Sequence, residues 1–185
     1  SLHDALPIWR IPERQRIEIA PHAPALGLGR LHGTEALGVM RVEKGHVAGN
    51  ELNGQTTALN MGLGKMVSKK KDAIGMVLSQ RDGMTTPGGY RLVGVKPVNP
   101  AQALTAGAHF LTKGAAATAD NDAGWLTSVV YSPHLGHAIA LGYLKNGSAR
   151  IGQRMRAVNL LAKTEVEVEI VSPHFFDPEG ERLRG

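Results

Sequence analysis

Cysteine is absent from the chain. That excludes disulfides, thiolate catalysis and Cys-ligated zinc, and it suits a reducing compartment such as the cytoplasm. Aromatic residues make up 4% of the sequence, too few to supply the stacking platforms that single-stranded nucleic acid needs. No apolar run approaches the roughly 18 uninterrupted residues that span a bilayer. His3, Asp4 and Pro7 also depart from the basic-then-apolar order of a secretion signal. The expectation is a cytoplasmic chain with no membrane role.

What is present is an ordinary globular composition. Hydrophobic residues account for 42% of 185 residues, enough to bury the core of one domain or two small ones. The net charge of +5 raises the question of phosphate binding, because clustered Lys and Arg gain affinity by displacing counterions. Only Lys69-Lys70-Lys71 forms a basic run, so nucleic acid is not an expected partner. A solvated basic face, or an anionic ligand or acidic partner, accounts for the excess.

Punctuation by Gly and Pro divides the chain. Residues 1–30 form a poorly defined N-terminal segment, with Ile17-Glu18-Ile19 as its one short strand signal. From Gly33 a helix of about ten residues is expected: Thr34 can cap it, Glu35 sits in its first turn, Leu37 and Met40 supply an apolar stripe, and Gly45 can stop it. The Gly-, Asn- and Thr-rich passage from Gly49 to Leu63 reads as an ordered loop, and a second helix is expected from Asp72 to Gln80. Gly83 to Gly89 is the strongest internal linker signal. It separates a part at 31–85 from a part at 90–185.

The second part reads as strands: Arg91 to Lys96, Ala108 to Leu111, Leu126 to Tyr131, Ala138 to Leu144 and Val166 to Val171. Such spacing predicts a small antiparallel barrel or sandwich. The last run alternates apolar and charged residues, as a strand with one wet face should. Lys145-Asn146-Gly147-Ser148 offers a hairpin-type turn.

Tests for familiar chemistry mostly fail. The eight histidines show no metal-ligand spacing, and His134 and His137 fall in a turn framed by Pro133 and Gly136. No serine lies in a Gly-x-Ser-x-Gly setting. Gly62-Leu63-Gly64-Lys65 imitates the end of a phosphate loop but carries Met66 where the hydroxyl belongs, and no dinucleotide fingerprint exists. What remains is Met40-Arg41-Val42-Glu43-Lys44-Gly45. Here Arg41 is a candidate for a planar grip on a carboxylate, and Glu43 a candidate partner or acceptor. The plainer alternative is a surface ion pair.

Gly33 to Leu37, Arg41 to Gly45, Glu51 to Thr57 and Gly62-Leu63-Gly64 resemble, in order and spacing, the folate-binding family that includes the glycine-cleavage T-protein, dimethylglycine dehydrogenase and the sarcosine oxidase alpha subunit. Lys70 to Gly75 resembles a further family segment, with Ala73 replacing the usual aromatic. Leu92 to Val95, Thr127-Ser128, Ser132 to Gly136 and Ile139 to Gly142 resemble pieces of its C-terminal barrel. Met66 to Asp72 and the ending from Ser172 to Arg182 are most similar to the sarcosine oxidase branch.

The resemblance implies an α+β fold: the C-terminal part of the aminomethyltransferase folate-binding fold at 31–85, followed by a small antiparallel β-barrel at 90–185. It implies oxidation of sarcosine in the parent enzyme, with tetrahydrofolate accepting the one-carbon unit as 5,10-methylenetetrahydrofolate. Flavin and NAD would belong to other parts of that enzyme, whose other subunits are the expected partners beside reduced folate. Arg41 matches the family arginine that holds folate, and Glu43 is assigned as a folate-positioning residue. The family's catalytic aspartate and its Gly-Glu-type motif have no match here, Glu18 included, so no catalytic residue is assigned and the isolated chain is expected to be inactive. Glu181 and Arg182 stand where the T-protein has a folate-associated tyrosine, and that contact is not carried over. The alternatives are a T-protein dependent on a lipoyl carrier and a non-catalytic basic RNA-binding module.

Overall fold

The computed structural model describes residues 33–184 apart from Lys69. The segment 1–30, with its expected strand at Ile17-Glu18-Ile19, lies outside the described residues, as does Lys69 of the lysine run. The chain divides into two compact units, Ser1–Leu37 and Gly38–Gly185. Residues 38–89 are grouped in one compact unit with the strands that follow.

That unit is built on six antiparallel strands: β1 (Tyr90–Pro97), β2 (His109–Leu111), β3 (Gly124–Ser132), β4 (His137–Lys145), β5 (Arg154–Asn159) and β6 (Thr164–Val171). They close into a barrel in the order β1-β4-β3-β2-β5-β6. Closure leaves no unpaired sheet edge, which a small all-antiparallel sheet otherwise exposes. Five of the strands are those expected from sequence. β5 was not, because Arg154 and Arg156 alternate with Met155 and Ala157 in a run poor in β-branched and aromatic residues.

Period-two alternation fills the interior. Val93 and Val95, Phe110, Leu126, Ala138, Ala140 and Leu144, Met155 and Ala157, and Val166, Val168 and Ile170 form one buried cluster. On β6 the intervening Glu165, Glu167 and Glu169 face out, where Glu165 pairs with Arg156 at 2.7 Å and Glu169 with Lys96 at 3.4 Å. β4 differs, because its second face is also covered. Ile139, Leu141 and Tyr143 pack in a separate cluster with Leu92 and Val42, which explains the near-continuous apolar run Ala138 to Leu144.

Val42 belongs to helix α1 (Thr34–Lys44) and is its one fully buried residue. The stripe expected at Leu37 and Met40 is instead exposed, at 62% and 40%, because the helix is buried only in its last turns. α1 ends in a Schellman motif: His46 N–H donates to the Arg41 carbonyl, Gly45 N–H donates to Val42, and Gly45 has φ +77°. The helix expected from Asp72 to Gln80 is only α2 (Met76–Ser79), followed by α3 (Asp82–Thr85). Gly75, at φ +86°, breaks it. Lys145 to Ser148 is not a hairpin turn either. β4 does not pair with β5: Lys145 ends β4, and Gly147–Arg150 form a 3-10 turn that leads out of it.

The segment after β6 returns over β1. A Cβ on Gly94 would strike the Ser172 carbonyl and lie 2.8 Å from Phe175 Cζ. Gly94→Ala is therefore expected to cost about 2–3 kcal/mol through overpacking, measured by urea unfolding. Gly54→Ala, which meets nothing within 4 Å, should stay within about 0.5 kcal/mol of the parent.

Candidate functional site

After Gly45 the chain doubles back, and a 3-10 turn (Gly49–Glu51) brings Glu51 beneath α1. Its carboxylate is fully buried, yet every direction around it is filled. Oε2 accepts from Arg41 Nη1 at 3.2 Å and from the Ala48 N–H at 3.0 Å. Oε1 lies 2.6 Å from both the Thr127 and Ser128 hydroxyls. Ser128 Oγ in turn accepts from Arg41 Nη2 at 2.8 Å. The guanidinium is thus tied at two nitrogens, and both ties lead to Glu51.

Thr127 and Ser128 are consecutive in β3, so a regular strand would point them to opposite faces. The register slips between Leu126, opposite Gly142, and Ser128, opposite Leu141. Thr127 is the extra residue of that bulge, which lets both hydroxyls reach one carboxylate. Asn50 Nδ2 donates to the Thr127 carbonyl at 3.1 Å, fastening the 3-10 turn to the same irregularity. Tyr143 completes the arrangement from β4, its hydroxyl donating to the Glu51 carbonyl at 2.9 Å. Burial, with the Glu51 charge nearby, pushes that hydroxyl up to about 12, although a hydrogen bond from Thr56 works the other way.

The rest of the Arg41–Gly45 segment holds the chain end. Glu43 Oε1 accepts from the Ser132 hydroxyl, and the Glu43 carbonyl accepts from the N–H groups of Phe175 at 2.9 Å and Phe176 at 3.0 Å. Lys44 Nζ donates to the Asp177 carbonyl and, at 3.1 Å, to Asp177 Oδ2. Desolvation tends to raise the Asp177 carboxyl, but Lys44 and the N–H groups of Arg182 and Glu181 hold it below the usual aspartate range. Gly45 is required here too, since a Cβ would lie 2.5 Å from the Pro173 carbonyl.

Arg41 does grip a carboxylate as the sequence suggested, but the partner is Glu51, ten residues on, and not Glu43. Arg41 and Glu43 sit on one helix turn with separate protein partners. His134 and His137 do not converge: His134 meets Phe176 edge to face and His137 Nδ1 lies 2.8 Å from the Ala138 carbonyl. No group of three or more His, Asp or Glu suited to a metal exists among the described residues. The described clefts lie elsewhere. One of about 630 Å³ is lined by His109, Leu111, Val158, Leu160 and Leu161, and one of about 450 Å³ by Thr57, Val67, Ile74 and Met84. Glu51 carries the arrangement, and sequence reasoning passed over its role within the matched stretch Glu51 to Thr57.

Residues 91–177 match the family model of the glycine cleavage T-protein C-terminal barrel domain. The chain is 46% identical over 153 residues to the sarcosine oxidase subunit alpha of Rhizobium meliloti (strain 1021), covering 82% of this chain and 16% of the relative. It is 36% identical over 158 residues to the protein of the same name from Corynebacterium sp. (strain P-1), again 16% of that protein's length. The chain thus spans about one sixth of the curated relatives it matches. Among solved structures, the glycine cleavage system aminomethyltransferase T from Bartonella henselae superposes with a TM-score of 0.63 at 21% identity, over 90% of this chain and 44% of that one. That likeness establishes the fold.

Two titrations check the geometry. With Tyr143 raised from 10 to about 12, its contribution to stability is full below about pH 10 and is lost as pH rises through about 12. Native protein minus Tyr143→Phe should show a tyrosinate absorbance change only near pH 12; a difference already developed at pH 10 contradicts the buried donor. Asp177 has the opposite sign: its contribution is present above the ordinary aspartate value of about 3.9 and is lost as pH falls through its lower folded value. Asp177→Asn should therefore flatten the stability profile between about pH 3.9 and that lower value, followed by urea midpoint against pH.

Proposed function

The chain is a homologue of sarcosine oxidase alpha subunits that carries a glycine cleavage T-protein C-terminal barrel domain at residues 91–177, and from that premise we propose that it forms part of the tetrahydrofolate site of such a subunit. The observation that carries this reading is the 46% identity over 82% of the chain. On this reading the fold is α+β: residues 31–85 are the end of the folate-binding domain, and 90–185 are the barrel domain against which it is built. The parent enzyme oxidises sarcosine, with flavin and NAD held in its other parts and by its other subunits.

The side chains fit a polar, partly anionic ligand. Arg41 uses three of its five N–H groups on Glu51, Ser128 and the His46 carbonyl, and its side chain remains 27% exposed. Two donors of a fixed, planar cation are left for a ligand carboxylate or pterin-type acceptor. Glu43 has one carboxylate oxygen engaged by Ser132 and acts as a positioning residue beside it. Tetrahydrofolate, when bound, supplies the nitrogens that accept the one-carbon unit as 5,10-methylenetetrahydrofolate. The barrel's part is to hold Arg41 so that the ligand meets a preset charge, which lowers the ordering cost of binding.

Arg41→Lys keeps the charge but loses the fork. In the parent enzyme it is expected to raise the dissociation constant for tetrahydrofolate about tenfold, the scale of one charge-assisted contact, measured by isothermal titration. Unchanged affinity removes Arg41 from the site. Turnover that requires a lipoyl carrier protein instead of a flavin-bearing partner subunit would replace this reading with aminomethyl transfer of the T-protein kind.

A further inference from the structure

Glu51 is a buried carboxylate in a place where a hydrophobic residue would be cheaper. Taking a carboxylate out of water costs several kcal/mol that an ion pair repays only with good geometry and full hydrogen bonding. Here four donors converge on it, two of them side-chain hydroxyls presented by a strand bulge. A fifth group, the Tyr143 hydroxyl, holds its backbone from the opposite strand. The outlay fixes one thing that faces solvent, the Arg41 guanidinium. Glu51 itself is wholly buried while Arg41 is 27% exposed, so the carboxylate cannot touch a ligand directly.

We infer that Glu51 is a positioning residue of the binding site: through Oε2 on Nη1, and through the Ser128 hydroxyl on Nη2, it sets the plane and rotamer in which Arg41 meets its ligand. This rests on the folate reading of Arg41 given above. An arginine held at one nitrogen turns about its remaining torsions, whereas one held at Nη1 and Nη2 by a single rigid network keeps one plane. The two ties are unequal in kind. Nη1 meets the charge itself, and Nη2 meets a hydroxyl whose proton is drawn to Oε1, which leaves its lone pairs turned to Arg41. Losing the charge therefore loosens both.

The test uses the parent enzyme titrated with tetrahydrofolate. Glu51→Gln keeps the shape and part of the hydrogen bonding while removing the charge, and is expected to weaken binding about tenfold. Arg41→Lys with Glu51→Gln together should bind no worse than Arg41→Lys alone, because a residue that acts through Arg41 has nothing left to position. Glu51→Asp, which restores the charge one methylene further back, should recover part of the loss. A readout independent of ligand is the guanidinium itself: slow rotation of the Arg41 Nη groups by nitrogen-15 NMR is expected in the parent and fast rotation in Glu51→Gln. Wild-type affinity in Glu51→Gln, or losses that simply add in the double variant, overturns the role of Glu51 while leaving the folate site standing. Failure of the unsubstituted enzyme to bind tetrahydrofolate removes the folate reading, and this inference with it.

Discussion

A carboxylate with no access to water must be met by a cation and by donors on every side, and Glu51 imposes that requirement on this structure. Satisfying it draws together elements far apart in sequence: the last turns of α1 through Arg41, the 3-10 turn through Ala48 and Asn50, and the β3 bulge through Thr127 and Ser128. β4 joins through Tyr143. Apart from the local Ala48 contact, these are made only once the barrel has closed and the helix has docked. Among the described residues no buried side-chain nitrogen or oxygen is left without a partner, so the network is complete.

The apolar packing follows the same line. The barrel interior is one buried cluster, but β4 also buries Ile139, Leu141 and Tyr143 outward against Val42. The helix contributes little area of its own, since Val42 is its single buried residue. Its docking is specified by directional contacts on either side of Val42: Arg41 to Glu51, Glu43 to Ser132 and Lys44 to Asp177. An apolar contact of that size fixes proximity, and the three polar contacts fix orientation. The same helix end therefore serves packing and leaves the Arg41 guanidinium partly exposed.

Much of the barrel was legible because alternation is a local signal. β6 reads directly from Val166 to Val171, and β4 from its apolar run. β5 hid behind Arg154 and Arg156, the second of which meets Glu165 on the neighbouring strand, a pairing visible only once the register is known. The helix stripe was misplaced because periodicity identifies apolar positions without saying which turn is covered. Arg41 was recognisable by residue type and by its place in a matching motif, but its partners were not: Ser128 lies 87 residues away. The bulge is a single extra residue and leaves no mark in composition. Glu51, in a Gly- and Asn-rich passage, looked like loop because nothing near it in sequence marks a charge as buried.

The central claim is that the Arg41 charge is what makes the Glu51 burial tolerable, and replacing Arg41 with methionine tests it most directly. Arg41→Met should lower the free energy of urea unfolding by about 2–4 kcal/mol, the penalty of an unpaired buried carboxylate reduced somewhat for the partial exposure of the pair. Adding Glu51→Leu to it should recover part of that loss, since it removes the unpaired charge while leaving the Ala48 N–H and the Ser128 hydroxyl without their acceptor. A loss below about 0.5 kcal/mol for Arg41→Met, within the range of an ordinary surface substitution, would contradict the account.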